Sequence, residues 1–185
     1  KPTLKLWGKT ELNYQLADFT KQIPPSEDEK YNLIICNPPY VRHHHINGQK
    51  ERLQAKALDA ANMKLSGLAG LYCYFMALTH PWMGKNAIAG WLIPSEFMDV
   101  NYGQAVKDYL LNEVTLLQIH RFDPSDVQFE DALVSSAVVW FKNKKPGKNH
   151  KGKFTYGGTI DKPTHEKDVS LSTLAQEKKW TRFPL

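Results

Sequence analysis

A short hydrophobic segment that runs into two prolines is the feature that most constrains how this chain can fold. Residues 31–36 read YNLIIC, and Asn-Pro-Pro-Tyr follows directly at 37–40. A continuous apolar run of this length is typical of a parallel β-strand covered on both faces, and a strand is predicted over 31–36. The prolines end the strand, because they lack a backbone N–H and fix φ.

The residues of this loop have the chemistry needed to hold a planar amine. Pro38 pushes Asn37 toward an extended conformation, and two successive prolines make a stiff turn that exposes carbonyl oxygens. Asn37 adds a side-chain carbonyl, and Tyr40 supplies a flat aromatic face. Ligands of open parallel sheets bind beyond the carboxyl ends of the strands, where this loop falls. The alternative is a rigid turn in which Tyr40 packs as core.

Helices and strands are predicted to alternate along the rest of the chain. The predicted helices cover about 49–64, 71–82 and 95–111, and the predicted strands cover 86–94, 115–122 and 135–142. In the second helix the apolar residues fall on one face, and Ser95 is a candidate N-cap of the third. The connection between the last two strands is too short for a crossover helix, which favours antiparallel pairing at the edge of the sheet. The predicted class is α/β, with a mostly parallel sheet and an antiparallel edge strand.

Length and composition fit one domain with a sizeable core, since the chain has 185 residues of which 42% are hydrophobic. No run approaches the roughly 20 apolar residues of a membrane helix. The first residues lack the apolar segment of a secretory signal. Cys36 and Cys73 lie in apolar contexts, which is typical of buried free thiols in a cytosolic protein. A cytoplasmic location without membrane contact is therefore predicted.

Positive charge is concentrated near the end of the last predicted strand. The net charge is +5, and residues 142–153 contain six lysines and one histidine, with no acid before Asp161. Two interpretations stay open for this segment: a solvated surface loop, or a linker that contacts phosphates. The change in composition after Lys142 predicts a domain boundary there, with 143–185 as part of a second unit.

The ordered motifs resemble those of a known family. The loop reads NPPYVR, and it is followed by GLYCYFMALTHPWMGKNAIAGWLIPSEFM and then by IHRFDPSDVQFEDALVSSAVVWFK, with QLADFT upstream. These blocks are similar to those of the class I S-adenosylmethionine-dependent adenine-N6 DNA methyltransferases of restriction-modification systems. The resemblance covers about 12–142 and implies the C-terminal half of a Rossmann-like methyltransferase fold. On this basis 1–142 is a partial catalytic domain, and 143–185 is a basic linker and the start of a target-recognition domain.

The resemblance also implies roles for the residues of the loop. Asn37 and the Pro38 carbonyl would accept hydrogen bonds from the target N6 amine, Pro39 would complete the catalytic motif, and Tyr40 would stack on the flipped adenine. Phe129 matches the aromatic residue that packs against the same base from its edge, and its alternative role is to fill the edge of the sheet.

A second set of residues matches positions that bind the cofactor S-adenosylmethionine. Asp18 corresponds to the acid that meets the adenine moiety, with Phe19 beside it. Phe75 corresponds to an apolar wall of the pocket, and Asn37 also borders it. Structural alternatives stay open, because Asp18 can be an ordinary turn residue and Phe75 lies on a helical core stripe.

Double-stranded DNA is the partner that the resemblance implies, and four basic residues are candidates to contact it: Arg42, His43, Lys144 and Lys145. The triple histidine at 43–45 has an alternative reading as a metal site. Three adjacent histidines cannot all point at one metal from a regular element, and no further ligand has metal-site spacing, so no metal is expected.

One block of the family pattern has no counterpart in the chain. The glycine-rich loop that anchors the methionine part of the cofactor is not found, and its expected place lies before Asp18. The sequence therefore predicts a missing N-terminal portion of the same protein. The isolated chain is expected to be inactive and to bind S-adenosylmethionine weakly or not at all. A nuclease on the parent chain or as a partner is compatible with the resemblance.

Three other functions stay open. Asn-Pro-Pro-Tyr also occurs in glutamine-N5 methyltransferases that act on protein release factors, but those lack the VQFEDALVSSAVVWF block. Cytosine-N4 methylation goes more often with Ser in place of Asn37. A non-catalytic DNA-binding remnant of a split methyltransferase is the third, although the intact loop argues against decay of this part.

Overall fold

The computed structural model describes residues 13–46, 48–123 and 135–184. They form a six-stranded mixed β-sheet with helices packed against it. The strands are β1 Tyr31–Cys36, β2 Met83–Pro94, β3 Thr115–Arg121, β4 Ser136–Lys142, β5 Lys151–Gly158 and β6 Pro163–Ser170. The helices are α1 Lys50–Ala61, α2 Leu71–Thr79, α3 Gln104–Asn112 and α4 Leu171–Gln176. The predicted α/β class is confirmed.

The order of strands across the sheet is β1-β2-β4-β3-β5-β6. The pairs β1–β2 and β3–β5 are parallel, and β4 is antiparallel to both β2 and β3. Strands β1, β2, β3 and β5 therefore point one way, while β4 and β6 point the other way. The carboxyl ends of four strands consequently meet at one edge of the sheet, which is where ligands of such sheets bind.

The predicted antiparallel pairing of 115–122 with 135–142 is confirmed, but its predicted place at the edge of the sheet is wrong. Strand β4 lies in the interior, between β2 and β3, with Val139 opposite Trp91 on one side and Ile119 on the other. A short connection constrains which strand β4 pairs with first, but not what lies on its other side. The apolar sequence AVVWF suits an interior strand, and Ala137, Val139 and Phe141 are buried.

The helix predicted over 95–111 is shorter in the structure. Two 3₁₀ turns, Ser95–Met98 and Asn101–Gly103, precede α3. Ser95 does not cap a helix with its side chain, and its backbone N–H donates instead to the Ser135 carbonyl at 2.8 Å. The chain folds back on itself here, because a β-carbon at Gly103 would collide with the Phe97 backbone. The helices predicted over 49–64 and 71–82 are present as α1 and as α2 with a following 3₁₀ turn.

Strand β1 is less covered than its sequence predicts. Leu33 is 55% exposed and Ile35 is 66% exposed, whereas Ala89 and Trp91 of the neighbouring β2 are fully buried. The expectation that β1 is covered on both faces is therefore wrong for the described chain. The core lies between the sheet and α1, α2 and α3. Strand β1 borders this core and leaves the apolar side chains Leu33 and Ile35 exposed.

Residues after Lys142 extend the same sheet through β5 and β6. Lys107 of α3 also holds this segment: its side chain is buried, and Nζ donates to the Lys178 carbonyl at 2.8 Å. The same Nζ lies 5.8 Å from the centre of the Trp180 ring. That 143–185 begins a separate recognition domain stays a prediction.

Candidate active site

The Asn-Pro-Pro-Tyr loop leaves β1 at the edge where the carboxyl ends of the parallel strands meet. Glu96 follows β2 at the same edge, and Asp123 follows β3. Ser136, the first residue of the antiparallel β4, lies there too, since it is opposite Pro94. Residues far apart in the chain are thus brought to one end of the sheet.

Asn37 and Tyr40 differ in exposure and in hydrogen bonding. Asn37 is exposed, and no described residue hydrogen-bonds its amide, whereas the neighbouring Pro38 is buried and anchors the turn. The Tyr40 hydroxyl donates to the Leu92 carbonyl of β2 at 3.0 Å. Burial raises the pKa of Tyr40, and a hydrogen bond with Ser136 partly opposes this rise. The ring is therefore fixed, while the amide beside it keeps its hydrogen-bonding capacity.

Cys36, the last residue of β1, does not have the properties of a nucleophile. Burial raises the pKa of its thiol to about 11. A reactive cysteine needs the opposite shift, since the thiolate is the attacking species. Cys36 and Cys73 are both free thiols, and Cys73 is buried.

The two aromatic residues predicted to border the cofactor are brought together. The ring centres of Phe19 and Phe75 are 5.3 Å apart, and Phe19 is 5.4 Å from Trp82. They line an open apolar cavity of about 440 Å³ along the exposed face of β1. Its other walls come from Tyr31, Leu33, Ile34, Ile35, Cys36 and Thr79. A planar, largely apolar ring fits such walls.

Asp18 lies beside Phe19 but is engaged locally. It caps the 3₁₀ turn Phe19–Lys21, and its carboxylate accepts from the Thr20 backbone N–H at 3.0 Å and from the Thr20 hydroxyl at 2.7 Å. These hydrogen bonds, together with the Lys21 ammonium at 3.2 Å, lower the pKa of Asp18. This geometry supports the reading of Asp18 as a turn residue and leaves the cofactor role a prediction.

A second cavity, of about 240 Å³, opens beside Tyr40. Polar and aromatic side chains dominate its lining, namely Tyr40, Arg42, His43, Tyr72, Glu96 and Tyr102. Burial raises the pKa of Tyr102, and a hydrogen bond to the Glu96 carboxylate adds to this rise. The cavity thus combines the Arg42 guanidinium, the His43 imidazole, one acid and aromatic rings.

The histidines at 43–45 form a 3₁₀ turn in which neighbouring rings contact each other, with centres 5.3 Å and 4.2 Å apart. Burial and the charges of the adjacent histidines lower the pKa of His44. Over the described ranges, no cluster of three or more His, Cys, Asp or Glu side chains has metal-site geometry.

The structure does not bring Lys144 and Lys145 to the loop. They follow Lys142 at the far end of β4, six residues along the strand from Ser136, or about 20 Å. Lys145 there pairs with Glu113 at 3.6 Å. A DNA contact at these lysines would be separate from one at Arg42. Phe129 lies outside the described residues, and its predicted role stays a prediction.

The sequence interpretation missed Tyr72, Glu96 and Tyr102 as residues of this edge. Glu96 had a usable signal, since it follows the second buried strand just as Asn37 follows the first. Tyr72 had none, because a tyrosine in the apolar segment LYCYFMAL looks like core, and Tyr102 had none because it falls inside the helix predicted over 95–111.

Comparison with known proteins agrees with this geometry. The model of the Eco57I restriction-modification methylase family matches residues 4–128. The chain belongs to this family. Within the described parts of this Eco57I-family chain, no helix has the length and apolar character to cross a bilayer.

Two relatives are type II methyltransferases. M.AccI of Acinetobacter calcoaceticus is 32% identical over 114 residues, which cover 62% of this chain and 21% of that protein. M.XamI of Xanthomonas campestris pv. amaranthicola is 32% identical over 109 residues, which cover 59% of this chain and 21% of that protein. The Eco57I-family chain thus spans about a fifth of the length of these relatives.

Solved structures of similar fold come from restriction-modification enzymes. The type IIG restriction endonuclease BpuSI aligns with a TM-score of 0.63 at 15% identity, over 86% of this chain and 21% of that one. The methyltransferase subunit of a type I system from Streptococcus thermophilus aligns with a TM-score of 0.54 at 16% identity, over 76% and 29%. At these identities the likeness establishes the fold.

Proposed function

We propose that this chain is the target-base half of a DNA methyltransferase that methylates adenine N6 within a restriction-modification system. The observation that carries the proposal is the pairing of an exposed Asn37 side-chain amide, which no described residue hydrogen-bonds, with a Tyr40 ring fixed on β2. An amine acceptor and a stacking surface at the carboxyl edge of the sheet are what a flipped adenine needs. Family membership and the two type II relatives support the same chemistry.

The mechanism follows from these two side chains and one backbone carbonyl. The N6 nitrogen of adenine is a poor nucleophile, because its lone pair is delocalised into the ring. The Asn37 side-chain oxygen and the Pro38 carbonyl accept from its two N–H bonds, which favours a more tetrahedral nitrogen with an available lone pair. These fixed dipoles also stabilise the positive charge that develops on nitrogen. Stacking on Tyr40 offsets part of the cost of flipping the base.

S-adenosylmethionine, when bound, would supply the electrophilic methyl group and leave as S-adenosylhomocysteine, and the methylated nitrogen would release one proton to water. Phe19 and Phe75 would hold its adenine ring by apolar contact in the cavity along β1, with Asn37 and Asp18 at the borders. The fit is partial, since the Asp18 carboxylate already accepts from Thr20. We therefore expect the isolated chain to be inactive and to bind the cofactor weakly or not at all. Titration calorimetry that measured a micromolar dissociation constant would contradict this expectation.

The exposed face of β1 supports a missing N-terminal portion of the same protein. Leu33 and Ile35 are large apolar side chains that are 55% and 66% exposed, and this exposure costs roughly 1–2 kcal/mol each relative to full burial. A segment that completed the sheet would bury both and would close the apolar cavity beside them. The relatives, about five times longer than the matched region, have room for such a segment.

The remaining partners follow from the same proposal. Double-stranded DNA would meet Arg42 and His43 beside the loop, and Lys144 and Lys145 would contact phosphates farther along. A nuclease on the parent chain or as a partner is in keeping with BpuSI, which is a restriction endonuclease. The enzyme would work in the cytoplasm, in agreement with its free cysteines.

The test is Asn37→Ala in the complete protein that contains this chain. Loss of one acceptor used in the transition state should lower kcat about 10²–10³-fold. The assay follows labelled methyl groups from S-adenosylmethionine into DNA, and nucleoside analysis identifies the methylated atom. Asn149→Ala is the matched control, since Asn149 is exposed and lies in the segment between β4 and β5.

Each alternative has its own outcome in this assay. Label on cytosine N4 would replace the adenine assignment, and label on a protein glutamine would move the enzyme to another class. Full activity of Asn37→Ala would reject the proposed role of the amide. A complete protein that binds DNA without transferring methyl groups would be the non-catalytic remnant.

A further inference from the structure

The cavity of about 240 Å³ beside Tyr40 is separate from the amine-binding set, because neither Asn37 nor Pro38 lines it. It lies between the loop that follows Tyr40 and the turn that follows β2. Tyr40 forms part of its wall, so an occupant would sit next to the base that stacks on the same residue. The cavity is too polar to be a simple packing defect.

A buried hydroxyl in this cavity lacks a direct hydrogen bond to any described residue. Tyr72 of α2 is only 2% exposed, and its hydroxyl has no described partner within direct hydrogen-bonding distance, although it lies close enough to the Tyr102 hydroxyl and the Cys73 thiol to oppose the rise that burial causes in the pKa of both. Buried polar groups are nearly always paired in folded proteins, by protein, water or ligand. A Tyr72 hydroxyl that lines a cavity is therefore positioned to bond a polar group of an occupant.

The second indication is the charge pattern of the lining. Arg42 and His43 suit a phosphate, but Glu96 is an acid on a surface proposed to face a polyanion. A carboxylate there would weaken DNA binding unless it accepted a hydrogen bond from a base amine, as acidic side chains do from cytosine N4. Tyr102 lines the cavity together with Glu96, and its interaction with this carboxylate raises the pKa of Tyr102.

We propose that this cavity binds a second base of the DNA, an amine-bearing cytosine or adenine close to the methylated adenine. Glu96 accepts from the base amine, the Tyr72 hydroxyl bonds the same base, and Arg42 contacts its phosphate. The proposal rests on the proposed function, since it assumes that DNA is the substrate. It makes Glu96 a specificity-determining residue.

The experiment uses the complete protein and short duplexes that contain its methylated site. Each non-target position is replaced in turn by an abasic nucleotide or by thymine, which has no exocyclic amine, and the Kd is measured by fluorescence anisotropy. The wild type should lose about tenfold in affinity at one non-target position. Glu96→Met should lose clearly less affinity than the wild type when that position is replaced, with the remaining loss due to the Tyr72 contact. Removing an acid near DNA can raise the affinity for every duplex equally. This general effect cancels when the Kd for a replaced duplex is divided by the Kd for the unreplaced one.

Two further variants sharpen the result. Glu51→Met removes another exposed glutamate, one that does not line the cavity, and should keep the wild-type loss at that position. Tyr72→Phe removes only the hydroxyl, and it should reduce the loss at the same position. A Tyr72→Phe protein with the full wild-type loss would overturn the role of this hydroxyl.

The failures of the two proposals are distinguishable. If the enzyme methylates DNA but no non-target position couples to Glu96, the second base site is refuted and the proposed function stands. If Glu96 couples only to the target adenine, the cavity belongs to the target-base site and the inference is wrong. If no methyl transfer to DNA occurs, both proposals fail.

Discussion

Tyr40 has one observed role and one proposed role, and two substitutions can separate them. Its hydroxyl donates to the Leu92 carbonyl at 3.0 Å in a part-buried position, and its ring is the proposed stacking surface. Tyr40→Phe removes the hydrogen bond and keeps the ring. Such a bond contributes about 0.5–1.5 kcal/mol net to stability. A loss of 1 kcal/mol shifts Tm by about 2–4 °C in a domain of 150–250 residues, and by less than this in a longer complete protein.

Tyr40→Ala removes both features. Base–aromatic stacking is worth about 1–3 kcal/mol per base, so the affinity for DNA with a flipped target should fall about 5- to 150-fold. Tyr40→Phe should lose less than threefold in the same binding assay, because the ring face remains. The measurements are calorimetric unfolding and anisotropy with a duplex that carries a mismatch at the target base, in the complete protein.

The two Tyr40 variants should differ in DNA binding but not in the direction of their stability change. Stability should fall in both, but DNA affinity should fall strongly only in Tyr40→Ala. If Tyr40→Phe weakens DNA binding as much as Tyr40→Ala, the hydroxyl and not the ring makes the contact. If Tyr40→Ala binds DNA like the wild type, Tyr40 is a core residue, and the stacking role is refuted.

Two predictions concern the fold itself. Gly90→Ala should lower the free energy of unfolding by about 1–3 kcal/mol, because a β-carbon there would lie 2.5 Å from the Trp140 ring. The control Gly147→Ala should leave it unchanged, since no described atom outside its chain neighbours lies within 4 Å of the added carbon. Both are measured by chemical unfolding. Burial lowers the pKa of His80 and His120 below the ordinary value of 6.5, so the folded protein binds their protons less readily than the unfolded chain does. The free energy of unfolding should therefore be highest above about pH 6.5 and should fall as the pH drops below that value. Tm measured from pH 8 to pH 5 should decline on the acid side, and His120→Gln should reduce the slope; an unchanged slope would contradict the assignment to His120.

Hydrophobic patterns and prolines in the sequence correctly predicted those elements whose ends are determined by neighbouring residues. Strand β1 occupies the predicted span, because an apolar run bounded by Asn-Pro-Pro leaves little freedom. Only the C-terminal part of the helix predicted from Ser95 is present, as α3. Before it the close approach of Gly103 to Phe97 produces two 3₁₀ turns. That approach depends on how the chain packs, which helical periodicity does not report.

The interior position of β4 had no local signal either. Hairpin length predicts that β4 pairs with β3, and this pairing is confirmed. The second partner, β2, is 42 residues or more away along the chain, and only the closure of the sheet selects it. The exposed apolar face of β1 is also a property of what packs beside it, which its own sequence cannot encode.

The proposed site combines these two levels of information. The position of Asn37 is set locally, by the end of β1 and by two prolines. The position of the Tyr40 ring is set by contacts with Leu92 of β2 and Ser136 of β4, which exist only once the sheet has formed. Substitutions in β4 near Ser136 should therefore disturb base stacking while leaving the amine acceptors in place. The Asn-Pro-Pro-Tyr motif alone therefore does not guarantee a stacking surface. Tyr40 is held in place only when β2 and the interior strand β4 contact it.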